Sequence, residues 1–530
     1  MKEKLDSLNY GIYDKRKKFQ KNIKQNKILL IISYSLILFL SILIFNLYNK
    51  YTNLLDRLNQ IEKRMKQSSK DSENYSERIK KIKETLKDHA DFEDKQKAYN
   101  KKLDIALEEM VTKIKNLELA SEKLDEIKEE KFNKNEIICK YEINDIKNEI
   151  FLFDHESPKG WIIRKEEIGE YTEVYLNEKK LKSGNKFKAE KPGIYTFKLK
   201  FLQPLTTLRR LFAYCRELIF VDLTNFKSDN LTDISFLFGN CTNLKEIKGL
   251  EHLNTKNIVT MDNVFMACEN LKEINGLKNF ETSNVLSLYG MFCDCYNLES
   301  LDVGNFDTRK VSTFESAFSG CKSLKEIKGL NNLNTGSAYN FMEMFYGCSN
   351  LTFLDISNFD TRRAKIFTGM FANCVNLKEI KGLNAFNTSN VIKFNSMFYS
   401  CTNLKFLDLS NFDTRKAEEM AGMFGGCNNL ENIRGLNNFI TDNVISMNDM
   451  FNDCKKLQDL DLSSFNTSKV KYFYNMFKNC LSLKKLNLKN FEILSTNVLD
   501  IFKNINTNNC ELIANNEEVK NLFYDDEIIN

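Results

Sequence analysis

Residues 396–436, SMFYSCTNLKFLDLSNFDTRKAEEMAGMFGGCNNLENIRGL, state one short phrase twice: Phe398, Cys401, Leu404, and then Phe424, Cys427, Leu430, each three residues apart. Followed outward, the phrase recurs at Cys215, Cys241, Cys268, Cys295, Cys321, Cys348, Cys374, Cys401, Cys427, Cys454 and Cys480, every 26 or 27 residues. A fixed period of this length is the mark of a solenoid, because one unit cannot bury its apolar side alone and must stack on the next. Six residues after each Cys comes Val, Ile or Leu, within a run that alternates as Leu460, Asp461, Leu462. Such alternation predicts a half-buried strand.

The other half of each unit reads as a short helix. Nine units carry Thr after an Asn-Phe or equivalent step, from Thr255 to Thr467, at a position suited to an N-cap. Gly320, Gly347 and Gly426 then fall just past the expected helix ends. The expected fold class is therefore an α/β leucine-rich-repeat solenoid of about eleven 26/27-residue units over residues 205–495. The 27-residue units read IKGL or IRGL where the others read LDL, which predicts a one-residue bulge at Gly249, Gly276, Gly329, Gly382 and Gly435.

The recurring cysteines have two readings: a disulfide ladder, or small apolar fillers held as buried thiols. Eleven is odd, and each site has two equivalent neighbours, which favours free thiols at Cys321, Cys348, Cys374, Cys401, Cys427 and their counterparts. Zinc is disfavoured, since no CxxC occurs and the repeats hold one histidine, His252.

At LDLSNFDTRK and MFGGCNNL the sequence resembles the BspA-like leucine-rich repeats, the 26-residue repeat of bacterial surface proteins. That resemblance covers about residues 205–495. It implies a surface protein that binds host or matrix proteins or other cells, and it carries no catalytic residue to transfer.

Outside the repeats, residues 1–27 hold nine Lys/Arg against three acids, leaving about −1 on the rest of a chain whose total is +5. A near-neutral body argues against a nucleic-acid partner, which needs a clustered basic face. Residues 28–48 contain 18 uncharged, mostly apolar residues in a row, enough for one membrane crossing. The basic residues before it predict a cytoplasmic tail (1–27) and an external or luminal C-terminal part. Heptads from Leu54 to Leu124 predict a homo-oligomeric coiled-coil stalk over 50–132. Alternating segments over 136–203 predict a small β module, with Trp161 in its core, and residues 496–530 are left as a C-terminal cap.

No general acid–base pair, phosphate-cradling loop or nucleophile elbow presents itself. The expectation is therefore no enzyme and no cofactor, but a membrane-anchored surface protein that binds a protein ligand on a host, matrix or neighbouring cell. The alternatives are an architectural envelope spacer, or an intracellular membrane-tethered scaffold if the topology is inverted. On the outward strand face, charges seven residues after each Cys alternate and should neutralise one another. Two residues earlier, Phe353 and Phe406 flank Glu379 and form the candidate binding patch.

Overall fold

The computed structural model describes residues 134–153, 171–182, 184–494 and 497–525, all within one compact unit, Lys123–Asn530. The basic tail (1–27), the expected anchor (28–48), the stalk (50–132) and Trp161 lie outside the described residues. Among the described residues no helix is long and apolar enough to cross a membrane.

The repeats form a solenoid whose coils stack in parallel. One column is built of three-residue strands. β9 (Ser300–Asp302) pairs with β10 (Glu326–Lys328), β11 (Phe353–Asp355) with β12 (Glu379–Lys381), and β13 (Phe406–Asp408) with β14 (Asn432–Arg434). In each strand the central residue is the most covered, as the alternation requires. A second column is a chain of single parallel bridges running from Thr207–Asp233 to Ser446–Tyr472.

The expected helix in each unit is not formed. The only α-helix among the described residues is α1 (Glu517–Asp525). In its place each coil has a ribbon of consecutive tight turns. The residues five and one before every repeat Cys are left-handed, for example Glu343 and Gly347 (φ 53 and 67) or Ser396 and Ser400 (φ 55 and 56). A left-handed residue every fourth position excludes an α-helix, which needs successive right-handed residues. The amides then alternate. Glu343, Phe345 and Gly347 donate to Thr368, Met370 and Ala372 of the next coil, whereas Met344, Tyr346 and Cys348 donate three residues back.

The threonines read as N-caps are instead buried cross-links between coils. Thr361 Oγ1 donates to the Asn387 carbonyl (3.0 Å) and accepts from the Asn387 amide (2.8 Å), and Thr388 repeats the pattern with Asp413 (3.0 and 2.7 Å). The glycines of the 27-residue units do not make bulges. Gly329, Gly382 and Gly435 are left-handed (φ 73, 94 and 94) and open 3-10 turns such as Leu383–Ala385. A Cβ on Gly382 would lie 2.3 Å from the Ser357 backbone, so no side chain fits there.

Inside the coils, the Phe three residues before each Cys stacks on its counterparts without a break. These eleven rings, with Phe502 of the next coil as a twelfth, run from Phe212 to Phe502; Phe212–Phe238, Phe318–Phe345 and Phe424–Phe451, for instance, have centroids 5.8, 5.6 and 5.5 Å apart. The thiols form the adjoining ladder. Cys374 Sγ donates to the Phe345 carbonyl (3.0 Å), Cys401 to Phe371 (3.0 Å) and Cys427 to Phe398 (3.1 Å). Cys321 and Cys348 bond likewise to Phe292 and Phe318. All fourteen cysteines are free, and all but Cys293 are buried.

The ends are built differently. At the N-terminal end β1 (Glu136–Ile143) pairs antiparallel with β6 (Gly193–Phe201) on one side and with β7 (Leu218–Asp222), the first coil strand, on the other. The β module thus continues the solenoid sheet and covers its first edge, as an exposed strand edge requires. At the other end β17 (Glu511–Ile513) pairs with β16 (Lys485–Asn487), and Asp500 and Asn504 repeat the left-handed pair. The coils therefore run on past residue 495, into the segment read as a cap.

Burial pushes the ladder thiols well above their ordinary value of 9.0, to about 12 at Cys374 and Cys427. A thiol that titrates near 12 when folded and near 9 when unfolded favours the folded state fully below pH 9. That contribution is lost as pH rises towards 12, because the unfolded chain then binds fewer protons than the folded one. We expect stability to fall steeply above pH 9 in denaturant titrations. Cys374→Ala with Cys427→Ala should lower stability at pH 7 yet flatten the alkaline decline; parallel declines would contradict the buried ladder.

Candidate functional site

The coils expose two main faces: the outward side of the strand column and the outward side of the turn ribbon. On the strand column the central residue of each triplet points inward, which leaves positions five and seven after each Cys to solvent. Phe353 and Phe406 are 46% and 52% exposed, and Glu379 is exposed beside Phe353 in the β11–β12 ladder. The earlier ring of the same row, Phe220, is covered by Lys140 and Lys248, whose ammonium groups lie 4.8 and 5.4 Å from its centroid. Phe353 and Phe406 retain about half of their surface in water.

The row of alternating charges is not continuous. Strand pairing stops after β12, where Gly382 turns the chain, so Phe353 with Glu379 and Phe406 with Asn432 belong to separate two-stranded ladders. Lys381 pairs with Asp355 at 2.8 Å and Arg434 with Asp408 at 3.7 Å, each within its own ladder. The Lys381 hydrogen bond, with those of the Ser357 hydroxyl and amide, lowers the Asp355 carboxyl to about 2. In these two ladders the row neutralises itself in isolated pairs.

The turn ribbon carries residues that the strand alternation does not reveal. Tyr289, Tyr346 and Tyr399 are 40%, 39% and 37% exposed, and Tyr339 and Tyr472 join them at the bridge column. Around Tyr289 the ribbon is acidic: burial and then the carboxylates of Glu315, Asp262 and Glu343 raise its hydroxyl above the ordinary range. Ser287 and Asn340 hold Asp262 and Glu315 in place (2.5 and 2.6 Å). In sequence these tyrosines are marked by their distance from the Cys, six residues before it for Tyr289 and two before it for Tyr346 and Tyr399. Among the described residues no group of three His, Cys, Asp or Glu side chains could hold a metal ion.

The fold defines a repeat solenoid. Four overlapping stretches, 206–328, 287–407, 314–434 and 394–515, match the family described as "Mycoplasma protein of unknown function, DUF285". Together they span residues 206–515, more than half of the chain, and the chain belongs to this family. A comparison with curated proteins gave no match.

Because Phe353 and Phe406 contact water rather than the core, Phe353→Ala with Phe406→Ala should leave the melting temperature within about 3 °C, as surface changes do. Thermal unfolding of the purified protein checks this. A loss of 10 °C or more would mean that the rings support the sheet.

Proposed function

We propose that this protein is a membrane-anchored, surface-displayed binding solenoid of the BspA-like kind, in which Phe353 and Phe406 anchor a protein ligand. The observation that carries the reading is the pair of half-exposed rings on the strand face, in contrast to the covered Phe220. Large apolar side chains left in water beside charged neighbours are what a protein interface uses as anchors. The uncharged stretch at 28–48, with the basic residues before it, supports anchoring with the repeats on the far side of the membrane. The heptads over 50–132 support a self-associated stalk that would present several solenoids together and raise avidity.

The test has two parts. An epitope tag after Asn530 should be detected on intact cells and removed by external protease; staining confined to permeabilised cells would replace the surface reading with an intracellular scaffold. Binding of the purified protein to host cells or matrix proteins should weaken at least tenfold in the Phe353→Ala, Phe406→Ala variant. Unchanged binding would clear the strand face of a role. A protein that binds no cell or matrix component, and whose deletion alters envelope shape, would favour an architectural role.

A further inference from the structure

The ribbon of four successive coils reads Met342–Gly347 (MEMFYG), Thr368–Asn373 (TGMFAN), Asn395–Ser400 (NSMFYS) and Ala421–Gly426 (AGMFGG). The Met and Phe of each are buried in the ladder. What remains outside contains a single charged side chain, Glu343, in an otherwise densely charged protein. Hydroxyls, amides, glycines, two alanines, the partly exposed Met342 and two tyrosine rings make up the rest.

The rings are seated by the glycines of the coil that follows. A Cβ placed on Gly425 would lie 3.1 Å from both Cδ2 and Cε2 of Tyr399, and one on Gly422 would lie 3.5 Å from Cδ2. Tyr399 therefore rests on backbone that only glycine leaves clear, and both glycines are buried beneath it. Tyr346 sits in the same way against Gly369, 3.9 Å from that Cβ position. Ala372, on the outward side of the coil between the two rings, is 2% exposed. The outer sides of the rings stay open, and two coils separate them, about 10 Å at the usual spacing of paired strands.

We propose that Tyr346 and Tyr399 are two platforms of a binding surface for an uncharged, extended glycan. The negative face of an aromatic ring attracts polarised C–H groups, which a sugar ring presents in a flat array. The surrounding hydroxyls and amides, such as Thr368, Asn373 and Ser400, supply both donors and acceptors for sugar hydroxyls. Two platforms two coils apart fit a polymer in which every second ring presents the same face, as in a β-1,4-linked chain. A nucleic acid would also stack on tyrosine but needs a basic groove for its phosphates, and this ribbon offers one carboxylate instead. The site lies on a different face from Phe353 and Phe406, so it stands independently of the function proposed above.

The test is calorimetric titration of the full-length protein in detergent with chitohexaose and cellohexaose, alongside the matching disaccharides and heparin. The expected result is binding of at least one neutral hexasaccharide, tenfold or more weaker for its disaccharide, which can reach one platform only. Tyr346→Leu with Tyr399→Leu keeps the glycines covered but removes the aromatic faces; it should abolish binding with the melting temperature unchanged, while Phe353→Ala with Phe406→Ala should leave glycan binding intact. Should the leucine variant be destabilised, Tyr346→Phe with Tyr399→Phe, which keeps both faces, should retain binding. The proposal is overturned if neither hexasaccharide binds, if heparin alone binds, if the disaccharide binds equally well, or if the folded leucine variant binds like the parent or the phenylalanine variant does not bind.

Discussion

Everything in the solenoid depends on a backbone constraint: two left-handed residues per coil, four apart, immediately before each repeat Cys position. They turn alternate amides toward the neighbouring coil and the others back along their own, so the ribbon's hydrogen bonds are shared between coils rather than closed within a helix. The same turns aim Phe and Cys inward side by side. The stacked rings and the thiols bonded to Phe carbonyls follow from that placement. A carbonyl in this position already accepts the Cys amide of its own coil, and the next coil's thiol uses its second lone pair. Cysteine is suited to the site because it is small and apolar yet still carries a weak donor.

Since each coil is completed by its neighbours, the end coils need covering. The N-terminal β module meets that need by continuing the sheet through β1, and the last coil places Ile505 where the other coils have Cys. Between the ends, stability is a sum of coil–coil contacts rather than one central core. The outward positions are correspondingly free to vary. The strand face uses that freedom for exposed rings and ion pairs, and the ribbon for an acidic stretch around Tyr289 and a nearly uncharged one around Tyr346 and Tyr399.

The period, the strand alternation and the inward Phe, Cys and Leu were legible in the sequence because burial imposes them at fixed positions. Phe353 and Phe406 were placed on the outer face by the same alternation, and they are exposed. The helix was misread because a Thr followed by an apolar pattern resembles a capped helix start, whereas these threonines bond the next coil. A signal for the true geometry was present one and five residues before the Cys: Asn373, Asp453 and Asn479 at the first position, Gly369, Asp449 and Asn475 at the second. Asn, Asp and Gly are the residues that tolerate left-handed backbone. The ribbon tyrosines were not legible because they follow no period: they stand two or six residues before the Cys in a few coils only.

Ser396, five residues before Cys401 and inside the expected helix, separates the two geometries by sign. It is left-handed (φ 55), so Ser396→Gly should be tolerated and Ser396→Val should lower stability by about 1–2 kcal/mol. In a helix the order reverses, because glycine is the poorer helix former. Equilibrium unfolding of the two variants measures the difference directly. A glycine variant at least as stable as the parent, with the valine variant clearly weaker, is the outcome that the turn-ribbon solenoid predicts; a valine variant more stable than the glycine variant would contradict it.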